Sequence, residues 1–157
     1  MTVLYVVGTE SGIGKTALVG ALAFHAKQLG RRVALFKPFL SAQEAADVHH
    51  DRDAEFYTQI SDVPLPDGWP IQFASSNVAA HSDIEERLLR TVVDLARGGT
   101  TVIIEGLDIS GSDQDSIEWS AIIVEKLAAD VVLSGHHGLS KARPSLDKIS
   151  SAFGARL

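Results

Sequence analysis

Two hydrophobic rhythms alternate along the chain. Short apolar runs rich in β-branched residues lie at Val3–Val7, Val33–Phe36, Thr101–Ile104 and Val131–Leu133. They are apolar almost throughout, as expected of parallel strands buried on both faces. Between them, apolar residues recur at helical spacing. A first helix is predicted from Lys15, with Leu18, Leu22, Ala26 and Leu29 as its stripe and Gly30 as a left-handed C-cap. A short helix is predicted at Asp53–Ile60. Ser82 and Glu85 form a capping box ahead of Ile84, Leu88, Leu89, Val92 and Leu95, and Gly98-Gly99 closes that helix. Further helices are expected at Ser116–Ala128 and near Pro144–Phe153, with a loop over Glu105–Asp115. Residues 38–50 show no period, and the proline-rich stretch 61–72 predicts an ordered loop.

Strands interleaved with helices imply a parallel α/β sheet. No internal repeat is present, so residues 1–157 read as one domain. A doubly wound domain would follow the last helix with another strand, yet the chain stops at Gly154-Ala155-Arg156-Leu157. Either the fold is short by a strand or the polypeptide is a fragment. The expectation is a C-terminally truncated domain whose open sheet edge is covered by a second copy, a missing C-terminal segment or a partner.

The strongest motif is Gly8-Thr9-Glu10-Ser11-Gly12-Ile13-Gly14-Lys15-Thr16, placed between the first strand and the first helix. Glycines allow the backbone to fold into a nest whose N–H groups face phosphate oxygens. The helix N-terminus adds partial positive charge and unpaired donors. This P-loop assigns nucleotide binding to Gly12, Ile13, Gly14, Lys15, Thr16 and Ala17. Lys15 can reach the β- and γ-phosphates, and the Thr16 hydroxyl suits magnesium. One detail departs from the common pattern: Thr9 stands where the first glycine usually lies, and Gly8 comes one residue earlier.

Three further residues lie where a parallel sheet binds ligands, beyond the carboxyl ends of its strands. Glu105 follows Thr101–Ile104 and is a candidate magnesium ligand, or else a solvated loop acid. Lys37 follows Val33–Phe36 and is a candidate for stabilising transferring phosphoryl charge, or else a surface lysine before a proline turn. Asp53 is a second candidate metal ligand, with a helix N-cap as its alternative.

Composition narrows the partners. The formal net charge is −6 and no basic block is present, which argues against nucleic acid and membrane surfaces but not against one nucleotide. There is no cysteine, so thiolate and disulfide chemistry are excluded. No signal-peptide pattern opens the chain, and Val3–Val7 is too short to span a bilayer; a cytoplasmic protein is the default reading. The pairs His49-His50 and His136-His137 point their side chains apart in regular structure and make poor chelates. Trp69 and Trp119 read as packing residues.

These residues resemble the dethiobiotin synthetase family, which includes the synthetase-like N-terminal domain of some phosphotransacetylases. Gly8–Thr16 resembles the family's phosphate loop with its longer glycine spacing. VALFKP, residues 33–38, is similar to the strand carrying its Lys-Pro. Asp51–Tyr57 is similar to the helix whose aspartate, Asp53 here, binds magnesium, and Thr101–Gly106 to the strand ending in Glu-Gly. The resemblance implies a P-loop NTPase-like, doubly wound parallel sheet with helices on both faces. It also implies ATP and Mg2+, with Thr16, Asp53 and Glu105 on the metal and Lys15 and Lys37 as catalytic cations.

Departures follow Glu105. The family's small glycine-rich segment is replaced by Leu107-Asp108-Ile109-Ser110, where Leu107 and Ile109 are expected to add bulk and Asp108 to repel a substrate carbamate. The proline-histidine segment before the third helix is only faintly echoed by Phe73–His81. The family's adenine-contacting residues lie beyond the end of this chain. The leading expectation is therefore an ATP- and magnesium-binding domain, regulatory or weakly hydrolytic, linked to acyl-phosphate metabolism of the phosphotransacetylase type. The alternative is an ATP-dependent dethiobiotin synthetase, which carboxylates a diamine, activates the carbamate with the γ-phosphate and closes the ring. A third reading, a partner-switching ATPase of the partition and septum-site type, lacks the early second lysine: Glu10 and Ser11 stand there.

Overall fold

The structure is a computed structural model that describes residues 1–9, 12–40, 52–72, 78–109, 114–135 and 151–154. Its elements run β1 (Thr2–Gly8), α1 (Lys15–Gln28), β2 (Val33–Phe36), β3 (Phe39–Leu40), α2 (Arg52–Ile60), β4 (Ile71–Gln72), α3 (Val78–Leu95), β5 (Thr101–Asp108), α4 (Gln114–Leu127) and β6 (Asp130–Ser134). The main sheet has the order β2-β5-β1-β6, and every pairing in it is parallel.

Alternate residues of each strand supply two cores. Val6, Val33, Leu35 and Ile103 pack against Val19 and Ala23 of α1 and Tyr57 of α2. The opposite face presents Val3, Tyr5, Val7, Ala34, Phe36, Val102 and Ile104 to Leu88, Val92 and Leu95 of α3 and to Ile117, Ile123 and Val124 of α4. Each buried valine, leucine or isoleucine among them contributes about 1.5–3 kcal/mol. This is the doubly wound arrangement expected from the strands' apolar character, with the ligand crevice at their carboxyl ends.

Several local expectations need correction. The α1 seam is Val19 and Ala23, with Leu18, Leu22 and Ala26 partly buried beside it, while Leu29 is 65% exposed. Leu29 lies past the last helical turn, so helical spacing no longer holds it toward the sheet. Gly30 does terminate the helix: its φ is 72°, and the Arg31 N–H reaches back to the Ala26 carbonyl at 3.1 Å. The Ser82–Glu85 capping box is not used, because α3 is already helical from Val78 and Ser82 lies inside it. Glu85 instead pairs with Lys126 of α4.

Residues 105–108 are not loop but the continuation of β5. Within the proline-rich stretch, Ile71–Gln72 pairs in parallel with Phe39–Leu40, a strand pair too short to carry any periodicity. Trp69 packs edge-on against Phe36 at 5.2 Å, and Trp119 against Phe39 at 6.4 Å. Of the expected last helix, Ser151–Phe153 is helical and the remainder lies outside the described residues. Among the described residues no helix is long and apolar enough to cross a membrane.

Candidate phosphate and metal site

The phosphate loop connects β1 to α1 at the carboxyl edge of the sheet. Glu10 and Ser11 lie outside the described residues, but both flanks are placed. Gly12 and Gly14 have φ of 75° and 86°, a region that an L side chain enters at a cost. Gly14 is the N-cap of α1, and Lys15 and Thr16 open its first turn. Gly8 is required for a different reason. A Cβ there would lie 2.8 Å from Ile13 Cγ2 and 3.1 Å from Lys15 Cδ, so the lysine stem lies directly across Gly8. The displaced glycine noted in the sequence is thus the one the lysine packs on. Thr9 is tied to the neighbouring strand by its N–H, 3.0 Å from the Ser134 carbonyl.

A bulge between β1 and β5 organises the opposite wall. Val6 stands opposite Glu105 and Gly8 opposite Asp108, so two steps on β1 face three on β5. Before the extra residue Val102 and Ile104 point into the α3/α4 core; after it Leu107 and Ile109 do. The bulge therefore reverses which residues face which side. It places Glu105 and Asp108 together on the α1 side. It also overturns the expectation that Leu107 and Ile109 obstruct the crevice, since both are buried in the core.

Glu105 is only 5% exposed. The Thr16 hydroxyl lies 3.3 Å from Glu105 Oε2, and the Tyr57 hydroxyl donates to the same oxygen. Burial raises the Glu105 carboxyl above the usual carboxylate range, partly offset by the Tyr57 hydrogen bond and by Lys37 and Lys15, while Asp53 raises it further. Burial, followed by the charge of Glu105, holds the Tyr57 phenol well above its ordinary range, so it remains a donor. Lys37, with only 3% of its side chain exposed, pairs with Asp53 at 2.8 Å. Asp53 lies in the first turn of α2, which starts at Arg52, and its side chain is turned to Lys37.

Lys15, Thr16, Glu105, Lys37 and Asp53 thus gather at one edge of the sheet. Ile13 closes over Gly8, while Gly12, Gly14 and Ala17 are exposed at the mouth. The oxygen donors Thr16, Glu105 and Asp53 suit a hard cation that keeps several waters, as Mg2+ does. Among the described residues there is no group of three or more His, Cys, Asp or Glu side chains fit to hold a metal unaided. Phosphate and water oxygens would have to complete the shell. Both histidine pairs lie outside the described residues.

One participant was missed in the sequence. Tyr57 had a signal, since it follows Asp53 by one helical turn and shares its face. Asp108 was marked in the sequence as an acid expected to repel a substrate carbamate, but its ion pair with Lys15 was not foreseen, because only the bulge decides where it points.

A family model described as an AAA domain, AAA_26, matches residues 2–151. The chain belongs to that family. Within it the chain is a dethiobiotin-synthetase-like P-loop protein, as its relatives indicate. A protein of Mycobacterium leprae (strain Br4923) named ATP-dependent dethiobiotin synthetase BioD is 29% identical over 156 residues, covering 89% of this chain and 67% of that protein. A protein of the same name from Mycobacterium avium (strain 104) is 33% identical over 111 residues, covering 68% and 48%. One from Mycobacterium tuberculosis (strain CDC 1551 / Oshkosh) is 31% identical over 113 residues, again covering 68% and 48%. The chain therefore matches about two thirds of the first of these relatives and about half of the others. AAA-domain membership agrees with the strand–loop–helix geometry around Lys15.

Proposed function

We propose that this chain binds ATP with magnesium through the phosphates and acts as a regulatory or weakly hydrolytic domain. The observation that carries the proposal is the meeting of Thr16 and Glu105 at 3.3 Å, beside Lys15 and at the carboxyl ends of parallel strands. Lys15 and Lys37 supply positive charge to the phosphates, and Thr16, Asp53 and Glu105 would hold Mg2+. Bound there, the metal would neutralise charge developing on the phosphoryl oxygens. A cytoplasmic location and service to acyl-phosphate metabolism go with this reading.

Calorimetry with ATP and Mg2+ tests it. Lys15→Ala is expected to weaken binding about tenfold or more, the equivalent of 1.5–3 kcal/mol for a charge-assisted contact. Equal affinity in the two proteins would remove the assignment.

A second reading, an ATP-dependent dethiobiotin synthetase, is favoured by the burial of Leu107 and Ile109, which leaves the crevice without the expected bulk. The assay is ATP-dependent formation of dethiobiotin from its diamine and bicarbonate. The regulatory reading expects no turnover above background; robust turnover would replace it with the second.

A further inference from the structure

The ammonium of Lys15 forms an ion pair with the Asp108 carboxylate. Three features make this pair a built contact. The Lys15 stem lies across Gly8. Gly8 stands opposite Asp108 in the sheet register. The Ile109 N–H donates to the Gly8 carbonyl at 2.8 Å, which holds the backbone beside Asp108 to the start of the phosphate loop. Both side chains are largely enclosed, with 10% of Lys15 and 23% of Asp108 exposed.

We propose that Asp108 is an affinity-setting residue that occupies Lys15 in the nucleotide-free protein and has to be displaced by phosphate oxygens. The proposal rests on the phosphate-binding reading of the same loop. A lysine has three donors and one charge, so the entering phosphates must compete with a carboxylate already in place. They must also come to rest beside its negative charge. Asp108 thereby sets nucleotide affinity below what the loop itself would provide. Occupancy would then respond to changes in nucleotide concentration that a tighter site would not register.

The test compares wild type with Asp108→Asn, and with Asp108→Ala as a second replacement, using ADP and ATP with Mg2+ in calorimetry. Thermal unfolding of the nucleotide-free proteins accompanies it. Both variants are expected to bind at least about tenfold more tightly, the low end of what a charge-assisted contact is worth. Both are expected to unfold at a lower temperature when nucleotide-free, because Lys15 is left enclosed without its partner. Unchanged or weaker binding overturns the proposal, as does a rise in nucleotide-free unfolding temperature, which would mean that Asp108 only repels its surroundings. Folded wild type and variants that all fail to bind either nucleotide would instead overturn the phosphate-loop reading. Binding by the variants alone would support both.

Discussion

Glu105→Gln should produce a protein that is more stable at neutral pH and has lost most of its magnesium-dependent nucleotide binding. The two effects share a cause. Glu105 is buried beneath the phosphate loop, and burial raises its carboxyl above the usual range. A carboxyl with a raised folded-state pKa binds its proton more tightly in the native chain than in the unfolded one. Stability therefore falls as pH rises from the ordinary value of 4.5 to the raised one. Glutamine removes that cost and can still accept from the Tyr57 hydroxyl through its carbonyl oxygen. Its stability advantage should be absent below the ordinary carboxyl pKa, grow through the interval above it and then level off.

Function should move the other way. Outer-shell contacts at metal sites are worth about 10–100-fold in metal affinity. A direct carboxylate ligand should cost at least the upper end of that range. Magnesium titrations in the presence of ATP, together with unfolding curves at acid and neutral pH, measure both effects. A variant whose apparent magnesium affinity matches wild type would show that Glu105 is not a ligand. A variant that is less stable at neutral pH would show that its charge is compensated within the fold.

The neighbouring substitution Gly106→Ala should be a strongly damaging single-methyl change to the fold. Gly106 lies on β5 beside the Tyr5 ring of β1, and a Cβ there would come within 2.6 Å of Tyr5 Cζ. Tyr5 is fully buried. Its hydroxyl hydrogen-bonds Ser120 of α4 at 3.3 Å, and burial raises its pKa to about 12. The ring is rigid and cornered, so it cannot yield as the end of a flexible chain would. Overpacking of this kind costs about 1–3 kcal/mol and sometimes more, and the upper end is expected here. For a domain of this size that lowers Tm by about 6–12 °C. Tyr5→Leu in the same chain should recover part of the loss, because the two positions interact directly. An unfolding midpoint within about 1 °C of wild type, well inside the shift expected per kcal/mol, would show that the Tyr5 ring is not confined as the structure has it.

The four strands of the main sheet were legible in the sequence, since parallel strands buried on both faces must be apolar throughout. Val3–Val7, Val33–Phe36, Thr101–Ile104 and Val131–Leu133 all declared themselves in this way. The phosphate loop was legible too, because its glycines, Lys15 and Thr16 act within one short segment whose local geometry is nearly self-sufficient. What depends on distant partners was not. The Ser82–Glu85 box has the right local chemistry, yet α3 begins upstream of it, and a cap matters only where a helix starts. The pairing of Phe39–Leu40 with Ile71–Gln72 joins segments with no period of their own. The decisive case is the bulge after Val6. One extra residue on β5 reverses the sidedness of everything beyond it, sending Leu107 and Ile109 into the core and Asp108 onto Lys15. Side-chain direction along a strand is inherited from hydrogen-bond register with its neighbour. The sequence alone therefore marked most of the residues that could do chemistry, and only the tertiary structure added Tyr57 and decided which of them face one another.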